Sequence, residues 1–186
     1  APSGQVSGIG FGVDIGGSGI KGALVDLAAG AMVGDRYRIE TPQPATPDAV
    51  AQVVAQVVDE FDLPTDLAIG VTFPAVVLHG VAMSAANVDD SWIGTNIEDV
   101  VGAACGRTVV AFNDADAAGY AETRFGAAKD IPGTVFFCTL GTGIGTALIV
   151  DGILVPNLEL GHLELDGYDA ETRAADSARE RENLTF

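Results

Sequence analysis

In the stretch Asp14-Ile15-Gly16-Gly17-Ser18-Gly19-Ile20-Lys21, three glycines separate two short apolar runs, at residues 9–14 and 21–26. Short apolar runs on either side of a glycine-rich turn are typical of a β-hairpin. Glycine has no Cβ, so such a turn can bring its backbone N–H groups directly against a phosphate. The stretch therefore predicts a hairpin with a turn of the right size for a phosphate group.

The same pattern returns at Leu140-Gly141-Thr142-Gly143-Ile144-Gly145, between apolar runs at 135–140 and 146–150. Two copies of one device, each beginning an α/β segment, predict two related lobes that face each other across a cleft. We expect residues 1–112 to form the N-terminal lobe and residues 113–186 to begin the second. The second lobe is expected to be incomplete within these 186 residues.

The remaining pattern alternates between strands and helices. Thr46 precedes a proline and an acid, which predicts a helix with Thr46 as its N-cap and a valine stripe toward the core. Strands are predicted at 32–39, 67–73, 76–83 and 108–112, and helices at 97–105, 114–125 and 168–182.

Composition and charge exclude several classes of function. The net charge is −17, from 26 acidic and 9 basic residues, which argues against nucleic acid or anionic lipid as a partner. The sequence shows neither a membrane span nor a signal peptide, so a cytoplasmic location is expected. Cys105 and Cys138 lack metal-binding spacing and are expected to be reduced and buried.

The sequence Asn113-Asp114-Ala115-Asp116 follows a predicted buried strand. Open α/β sheets bind ligands beyond the carboxyl ends of their strands, so a buried carboxylate here can act as a general base. Asp114 and Asp116 are both candidates. The alternative interpretation is a helix cap, which is a common use of Asn-Asp at such a junction.

The glycine turns are candidates for phosphate binding. Residues 17–22 match the GxGxxG dinucleotide pattern, but that pattern requires a helix to begin in the turn, whereas a strand is predicted here. Asp14, just before the first turn, can hold Mg²⁺ through water. Lys21 is one of two lysines in the chain and lies at the end of that turn. A plain glycine hairpin with a solvated lysine is the alternative interpretation.

Glu159-Leu160-Gly161-His162 places a carboxylate and an imidazole three residues apart. If the segment is helical, the two groups converge and can hold adjacent sugar hydroxyls. A surface glutamate and a structural histidine are the alternative. No HExxH pattern or nearby cysteine supports a metal site at this segment.

Taken together, the two glycine turns, Asn113-Asp114-Ala115-Asp116 and Glu159-Leu160-Gly161-His162 resemble the ROK family of bacterial sugar kinases and repressors. The resemblance implies an actin-like/hexokinase (ribonuclease H-like) two-lobe α/β fold. Residues 159–168 are similar, more specifically, to the polyphosphate glucokinases of that family. The resemblance therefore implies phosphoryl transfer from polyphosphate or ATP, with Mg²⁺, to the 6-hydroxyl of glucose.

The resemblance also implies roles for individual residues. Asp114 would be the catalytic base, and the glucose-binding residues would be Asn87, Asn113, Glu159, His162 and Glu171. The donor phosphates would be held by Gly16, Gly17, Ser18, Gly19, Lys21, Gly141, Thr142, Gly143 and Gly145, with Asp14 at the metal. The cysteine cluster that binds structural zinc in the family is missing, so no zinc is expected. A homodimer is expected from the resemblance.

Other functions share this set of motifs. One is an ATP-dependent kinase for fructose, mannose or an N-acetylhexosamine. Another is a non-catalytic, sugar-sensing domain of the repressor kind, although the strand pattern from Ile9 onward leaves no place among these residues for a helix-turn-helix. A polyphosphate donor requires a local basic cluster in this acidic chain, for which Lys21, Arg124 and Lys129 are candidates.

Overall fold

The computed structural model describes residues 8–85, 87–141, 143–183 and 185. Thr142, a predicted phosphate-binding residue, lies outside the described residues. The chain divides into two compact units, Ala1–Asp114 and Ala115–Phe186. This division falls two residues after the predicted boundary between 112 and 113.

Unit 1 is built on a five-stranded sheet in the order β3-β2-β1-β4-β7. Strands β1 to β3 form an antiparallel meander, and β4 and β7 run parallel to β1. The strands and helices of this unit are β1 Ile9–Ile15, β2 Ile20–Asp26, β3 Ala31–Ile39, α1 Pro47–Asp59, β4 Ile69–Phe73, β5 Val77–Leu78, β6 Val81–Ala82, α2 Ile97–Cys105 and β7 Val109–Asn113.

The core of unit 1 lies between one face of this sheet and helices α1 and α2. Alternate residues of β1 point into it, as the period of two along a strand requires. The predicted valine stripe of α1 is confirmed, because Val50, Val54 and Val57 are fully buried. Thr46 precedes the helix in an extended conformation, but its side chain makes no capping hydrogen bond, so the predicted cap is wrong in that respect.

Unit 2 repeats the opening meander as a three-stranded antiparallel sheet in the order β10-β9-β8. Its elements are α3 Asp114–Phe125, which starts at the last residue of unit 1, β8 Thr134–Leu140, β9 Ile144–Val150, β10 Ile153–Val155, β11 Glu164–Leu165, β12 Tyr168–Asp169, α4 Glu171–Ala174 and α5 Asp176–Glu182. Both predicted glycine hairpins are thus confirmed. Helix α3 packs closely on β9, because a Cβ on Gly119 would lie 2.5 Å from the Ala147 Cβ.

Two predicted elements are wrong. The single strand expected at 76–83 is a short hairpin of β5 and β6, turned at His79 and Gly80, which both have positive φ. The helix expected at 168–182 is divided into β12, α4 and α5. Asp169 accounts for the first break, since its carboxylate accepts the Glu171 N–H and its carbonyl accepts the Thr172 hydroxyl.

The two thiols are less buried than expected. Cys138 is exposed, because the alternation along β8 places it on the same face as the exposed Phe136. Cys105 is partly buried, and burial raises the pKa of its thiol to about 11. Among the described residues, every helix is too short or too polar to traverse a lipid bilayer.

Candidate active site

The first glycine turn is held in shape by bonds within the turn and from β3 and the residues after it. The Gly16 N–H donates to the Gly19 carbonyl at 3.1 Å. The Thr41 hydroxyl donates to the Gly16 carbonyl, and the Arg38 Nη2 donates to the Ser18 carbonyl at 2.6 Å. The Gly16 N–H is therefore already bonded within the turn. The backbone N–H groups that are candidates for binding a phosphate are those of the next three residues.

Two glycines of this turn have close neighbours. A Cβ on Gly19 would lie 2.4 Å from Nε of Arg38, which is part of a flexible side chain that can move aside. A Cβ on Gly17 would lie 2.7 Å from the Cβ of Asn87, which has a left-handed φ of 61°. The structure thus brings Asn87, a predicted sugar-binding residue, against the first glycine turn.

A row of polar side chains crosses four neighbouring strands beside this turn. Arg38, Lys21, Asp14 and Thr72 are directly paired from strand to strand, so they share one face of the sheet. The Lys21 Nζ lies 3.2 Å from Asp14 Oδ2, and the Thr72 hydroxyl donates to Asp14 Oδ1 at 2.8 Å. Two of the four residues, Lys21 and Asp14, were predicted from the sequence.

The Asp14 carboxylate fits a role at a magnesium ion. Each oxygen accepts one hydrogen bond from the protein, and a carboxylate oxygen has two lone pairs. The side chain is 48% exposed, so water can reach it. Mg²⁺ in phosphoryl-transfer sites keeps several of its waters and uses few carboxylates, which suits this arrangement.

Asn113 and Asp114 lie where β7 ends and α3 begins. Asn113 is 5% exposed, and its Nδ2 donates to the Ala75 carbonyl at 2.9 Å. Asp114 is exposed, so the expectation of a buried carboxylate is wrong for this residue. Its place at the carboxyl edge of the sheet, where open α/β sheets bind ligands, explains the exposure.

Asp116, the other candidate base, is the buried carboxylate, with 3% exposure. Its Oδ2 accepts the backbone N–H of Asn157 at 2.7 Å. The Asp116 carboxylate therefore anchors the loop that leads to Glu159. This role in holding the loop favours Asp114 as the base.

Glu171 occupies the second glycine turn. Its Oε2 accepts the Ile144 N–H at 3.1 Å and fills the space where a Cβ on Gly143 would lie. The Gly141 N–H donates to the Gly143 carbonyl at 3.0 Å, so this amide is also committed within its turn. Gly145 is explained by packing, because its Cβ would lie 2.9 Å from the Ala115 Cβ.

The segment from Glu159 to His162 forms a 3₁₀ turn, Leu160–His162, against β9. The Leu160 N–H donates to the Thr146 hydroxyl at 3.0 Å. A Cβ on Gly161 would lie 2.2 Å from the Ile144 carbonyl oxygen, so this position requires glycine. Glu159 has a left-handed φ of 45°, a strained conformation of the kind that clusters at functional sites.

The imidazole of His162 lies among three carboxylates. Its Nε2 is 3.8 Å from Glu159 Oε2, while its Nδ1 is 2.9 Å from Asp169 Oδ2 and 3.8 Å from Glu171 Oε1. The hydrogen bond to Asp169, with the other two charges, raises the pKa of His162 against the opposing effect of partial burial. The same bond lowers the pKa of Asp169.

Residues 10–177 match the sequence model of the ROK family. The chain belongs to the ROK family. Over 178 residues, 95% of this chain, it is 57% identical to the polyphosphate glucokinase of Mycobacterium tuberculosis and 55% identical to that of Mycobacterium leprae. It spans 66% and 54% of the length of those relatives.

Solved structures of ROK proteins share the fold. The inorganic polyphosphate/ATP-glucomannokinase of Arthrobacter sp. strain KM is 54% identical, with a TM-score of 0.92, over 96% of this chain and 73% of that one. A ROK family glucokinase of Streptomyces griseus, in complex with glucose and AMPPNP, is 29% identical, with a TM-score of 0.76, over 94% and 59%. The chain thus has the actin-like, hexokinase-type fold of the ROK kinases.

One group of side chains in the described part of this ROK chain has spacing suited to a metal ion. His162, Asp169 and Glu171 each offer an atom within 4.8 Å of the others. The 2.9 Å contact between His162 and Asp169 is an ordinary hydrogen-bond length. Hydrogen bonding accounts for the cluster without an ion, and the absence of zinc stays a prediction.

The sequence analysis missed two residues beside the candidate sites, Arg38 and Asp169. Counting residues outward from the β2–β3 turn would place Arg36 opposite Lys21, and a register shift between Gly22 and Leu24 brings Arg38 there instead. The Asp166-Gly167 pair between two short strands is a strong signal for a two-residue hairpin turn, and it would place Asp169 opposite Glu164. Neither count predicts the hydrogen bonds that these side chains make.

Proposed function

We propose that the protein is a glucokinase that transfers the terminal phosphoryl group of inorganic polyphosphate, and also of ATP, to the 6-hydroxyl of glucose. The observation that carries this proposal is the identity of 55–57% with polyphosphate glucokinases over 95% of this chain. The aligned part of the chain includes both units and every predicted site residue. The glucomannokinase named for both donors adds support for the use of ATP.

In the proposed reaction, Asp114 accepts the proton of the glucose 6-hydroxyl as its oxygen attacks the terminal phosphorus. The new bond joins that oxygen to phosphorus, and the bond from phosphorus to the bridging oxygen of the donor breaks. The products are glucose 6-phosphate and a polyphosphate shortened by one unit, or ADP. The exposed position of Asp114 at the sheet edge supports this role, because the base must meet a substrate from solution.

Unit 1 is proposed to bind the donor through the amides of Gly17, Ser18 and Gly19. Lys21 and Arg38 add positive charge next to that turn. Asp14 would hold Mg²⁺ through water, and the ion would neutralise the charge that develops on the transferred group. In unit 2, Gly143 and Thr142 keep the proposed role at phosphate, for which the Glu171 carboxylate must leave the turn. Gly141 and Gly145 serve the turn and the packing.

Glucose is proposed to bind through hydroxyl contacts with Asn87, Asn113, Glu159, His162 and Glu171. Two of these side chains are held in fixed orientations, since Asn113 donates to Ala75 and His162 contacts Asp169. Fixed polar groups suit sugar recognition, because a hydroxyl that finds no partner in the site costs binding energy.

Use of polyphosphate as the phosphoryl donor requires a basic surface, and the predicted cluster of Lys21, Arg124 and Lys129 supplies it only in part. Lys21 is paired with Asp14, and the Arg124 guanidinium lies 5.6 Å from the Tyr120 ring centroid. Arg38 is the additional cation that the structure places beside a glycine turn. Convergence of Lys21, Arg124 and Lys129 on one polyphosphate chain stays a prediction, as do the homodimer and the cytoplasmic location.

A coupled assay for glucose 6-phosphate tests the proposal. Purified protein is assayed with polyphosphate and with ATP, each against glucose, mannose, fructose and N-acetylglucosamine. We expect turnover of glucose with both donors, and with polyphosphate in particular. Turnover with ATP alone, or of another hexose alone, would replace the proposal by the corresponding kinase. Hexose binding without turnover by any pair would support a sugar sensor; the xylose repressor of Bacillus subtilis is 27% identical to this chain.

A further inference from the structure

A short hairpin brings Asp169 back to His162 only seven residues after it. Strands β11 and β12 pair Glu164 with Asp169, and the turn between them is Asp166-Gly167. Both turn residues have positive φ, 53° and 79°, which is the conformation that Asp-Gly pairs favour in two-residue hairpins. The Ala170 N–H donates to the Leu163 carbonyl at 2.8 Å and fixes the base of the hairpin.

The Asp169 carboxylate is itself held in place. Its Oδ1 accepts the Glu171 N–H at 3.1 Å, and the backbone carbonyl of Asp169 accepts the Thr172 hydroxyl at 2.6 Å. This leaves Oδ2 facing the His162 Nδ1 at 2.9 Å. A surface carboxylate held by one backbone N–H, on a main chain that is itself hydrogen-bonded, differs from a mobile acidic side chain that meets a histidine by chance.

We propose that Asp169 is a positioning residue that holds His162 as the Nδ1–H tautomer and directs its Nε2 lone pair at glucose. An ionised carboxylate can only accept hydrogen bonds, so the ring nitrogen facing it must carry the proton. In the neutral imidazole the other nitrogen, Nε2, is then an acceptor. This inference rests on the proposed role of His162 in binding glucose.

The tautomer of His162 decides whether the site can accept hydrogen bonds from two sugar hydroxyls. Nε2 of His162 and Oε2 of Glu159 lie 3.8 Å apart and are both acceptors in this state. Two adjacent hydroxyls of one sugar can each donate to one of them. Without Asp169, Nδ1 and Nε2 each face one carboxylate oxygen at 3.8 Å, from Glu171 and Glu159 respectively. Neither nitrogen is then favoured by its neighbours, so the Nε2–H form, whose Nε2 cannot accept from the sugar, becomes populated.

The tautomer can be measured without any activity. Long-range ¹H–¹⁵N correlation spectra of uniformly ¹⁵N-labelled protein, recorded above the pKa of the imidazole, distinguish protonation at Nδ1 from protonation at Nε2. The other histidine, His79, has φ 51°, which asparagine tolerates, so a His79→Asn background leaves one histidine to assign. We expect the Nδ1–H form alone in this background and a mixture with the Nε2–H form once Asp169→Ala is added.

The matched control is Asp166→Asn. It removes one negative charge from the same hairpin at a turn position with positive φ, where asparagine is well tolerated. We expect this variant to keep the Nδ1–H form. Asp169→Ala is also expected to raise the KM for glucose about tenfold with little change in kcat, the effect of losing one charge-assisted hydrogen bond, while Asp166→Asn leaves the KM unchanged.

Each outcome decides the inference. An Nε2–H tautomer in the His79→Asn background, or an Nδ1–H tautomer that remains the only form in Asp169→Ala, would overturn it. An unchanged glucose KM in an active Asp169→Ala enzyme would also overturn it. If no hexose is phosphorylated at all, the proposed function fails, but the spectra still decide whether Asp169 sets the tautomer.

Discussion

Replacing Gly161 by alanine is the sharpest test of how the loop carrying Glu159 and His162 is placed. The added Cβ would lie 2.2 Å from the carbonyl oxygen of Ile144, a backbone atom of β9. Strand β9 is paired with β8 over its whole length and with β10, so that carbonyl has little freedom to move. The loop, rather than the strand, must therefore shift.

The size of the shift follows from this distance. Carbon and carbonyl oxygen approach to about 3.3 Å, so relief from 2.2 Å requires a displacement of about 1 Å. A misplacement of that size can cost about 10²-fold in a positioned site. We expect Gly161→Ala to lower kcat/KM for glucose by about 10²-fold, mainly through KM, and to destabilise the protein by about 1–3 kcal/mol through overpacking.

The assay compares this variant with Gly70→Ala in initial-rate kinetics and in thermal unfolding. A Cβ on Gly70 would meet no heavy atom within 4 Å, so the same chemical change is made in open space. We expect Gly70→Ala to retain kcat/KM within about twofold. If Gly161→Ala also kept its kcat/KM and its stability, the close approach of the loop to β9 would not govern the site.

Four further predictions concern the two aspartates, the magnesium ion and the pH dependence of glucose binding. Asp114→Asn should bind glucose with unchanged affinity yet lose about 10²–10⁴-fold in kcat, as measured by titration and by the coupled assay, whereas full turnover would remove Asp114 as the base. Asp116→Ala should instead destabilise the fold by about 1–3 kcal/mol in denaturant unfolding, because the partly buried Asn157 N–H loses its charged acceptor; stability equal to the parent would refute the anchoring role. Chelation of Mg²⁺ should abolish turnover without lowering the unfolding temperature, and a large drop in that temperature would indicate a structural ion instead. The KM for glucose should fall as pH rises through the pKa of His162, because both nitrogens of the imidazolium are donors and neither can accept from a sugar hydroxyl. The hydrogen bond to Asp169, with the charges of Glu171 and Glu159, raises this pKa above its usual value. In Asp169→Ala the transition should move to lower pH, and a KM independent of pH would contradict the assignment.

Local patterns in the sequence were sufficient for the repeated architecture. The two glycine hairpins and the valine stripe of α1 were predicted correctly, because turn conformation and helix periodicity depend on residues close together in the chain. The family also followed from the sequence, since its motifs are short and contiguous. By contrast, the single strand at 76–83 failed because His79-Gly80 was not recognised as a turn.

Part of the candidate site could be predicted from the sequence, and part required the structure. The sequence offered Asp114 and Asp116 as candidate bases, with Asp114 favoured by the family resemblance, and grouped Glu159 with His162. The structure separated the two aspartates by burial, because the partner of Asp116 is the Asn157 amide, 41 residues away. It also placed Arg38 on the first glycine turn, 20 residues from Ser18.

The sequence by itself determined the family, the two glycine hairpins and the residue types available for phosphoryl transfer. The tertiary structure alone decided which carboxylate is exposed, which amides of the turns are already bonded, and which partner orients His162. The physical reason is range: turns and helices follow from neighbouring residues, whereas burial and side-chain hydrogen bonds depend on segments that only the fold brings into contact.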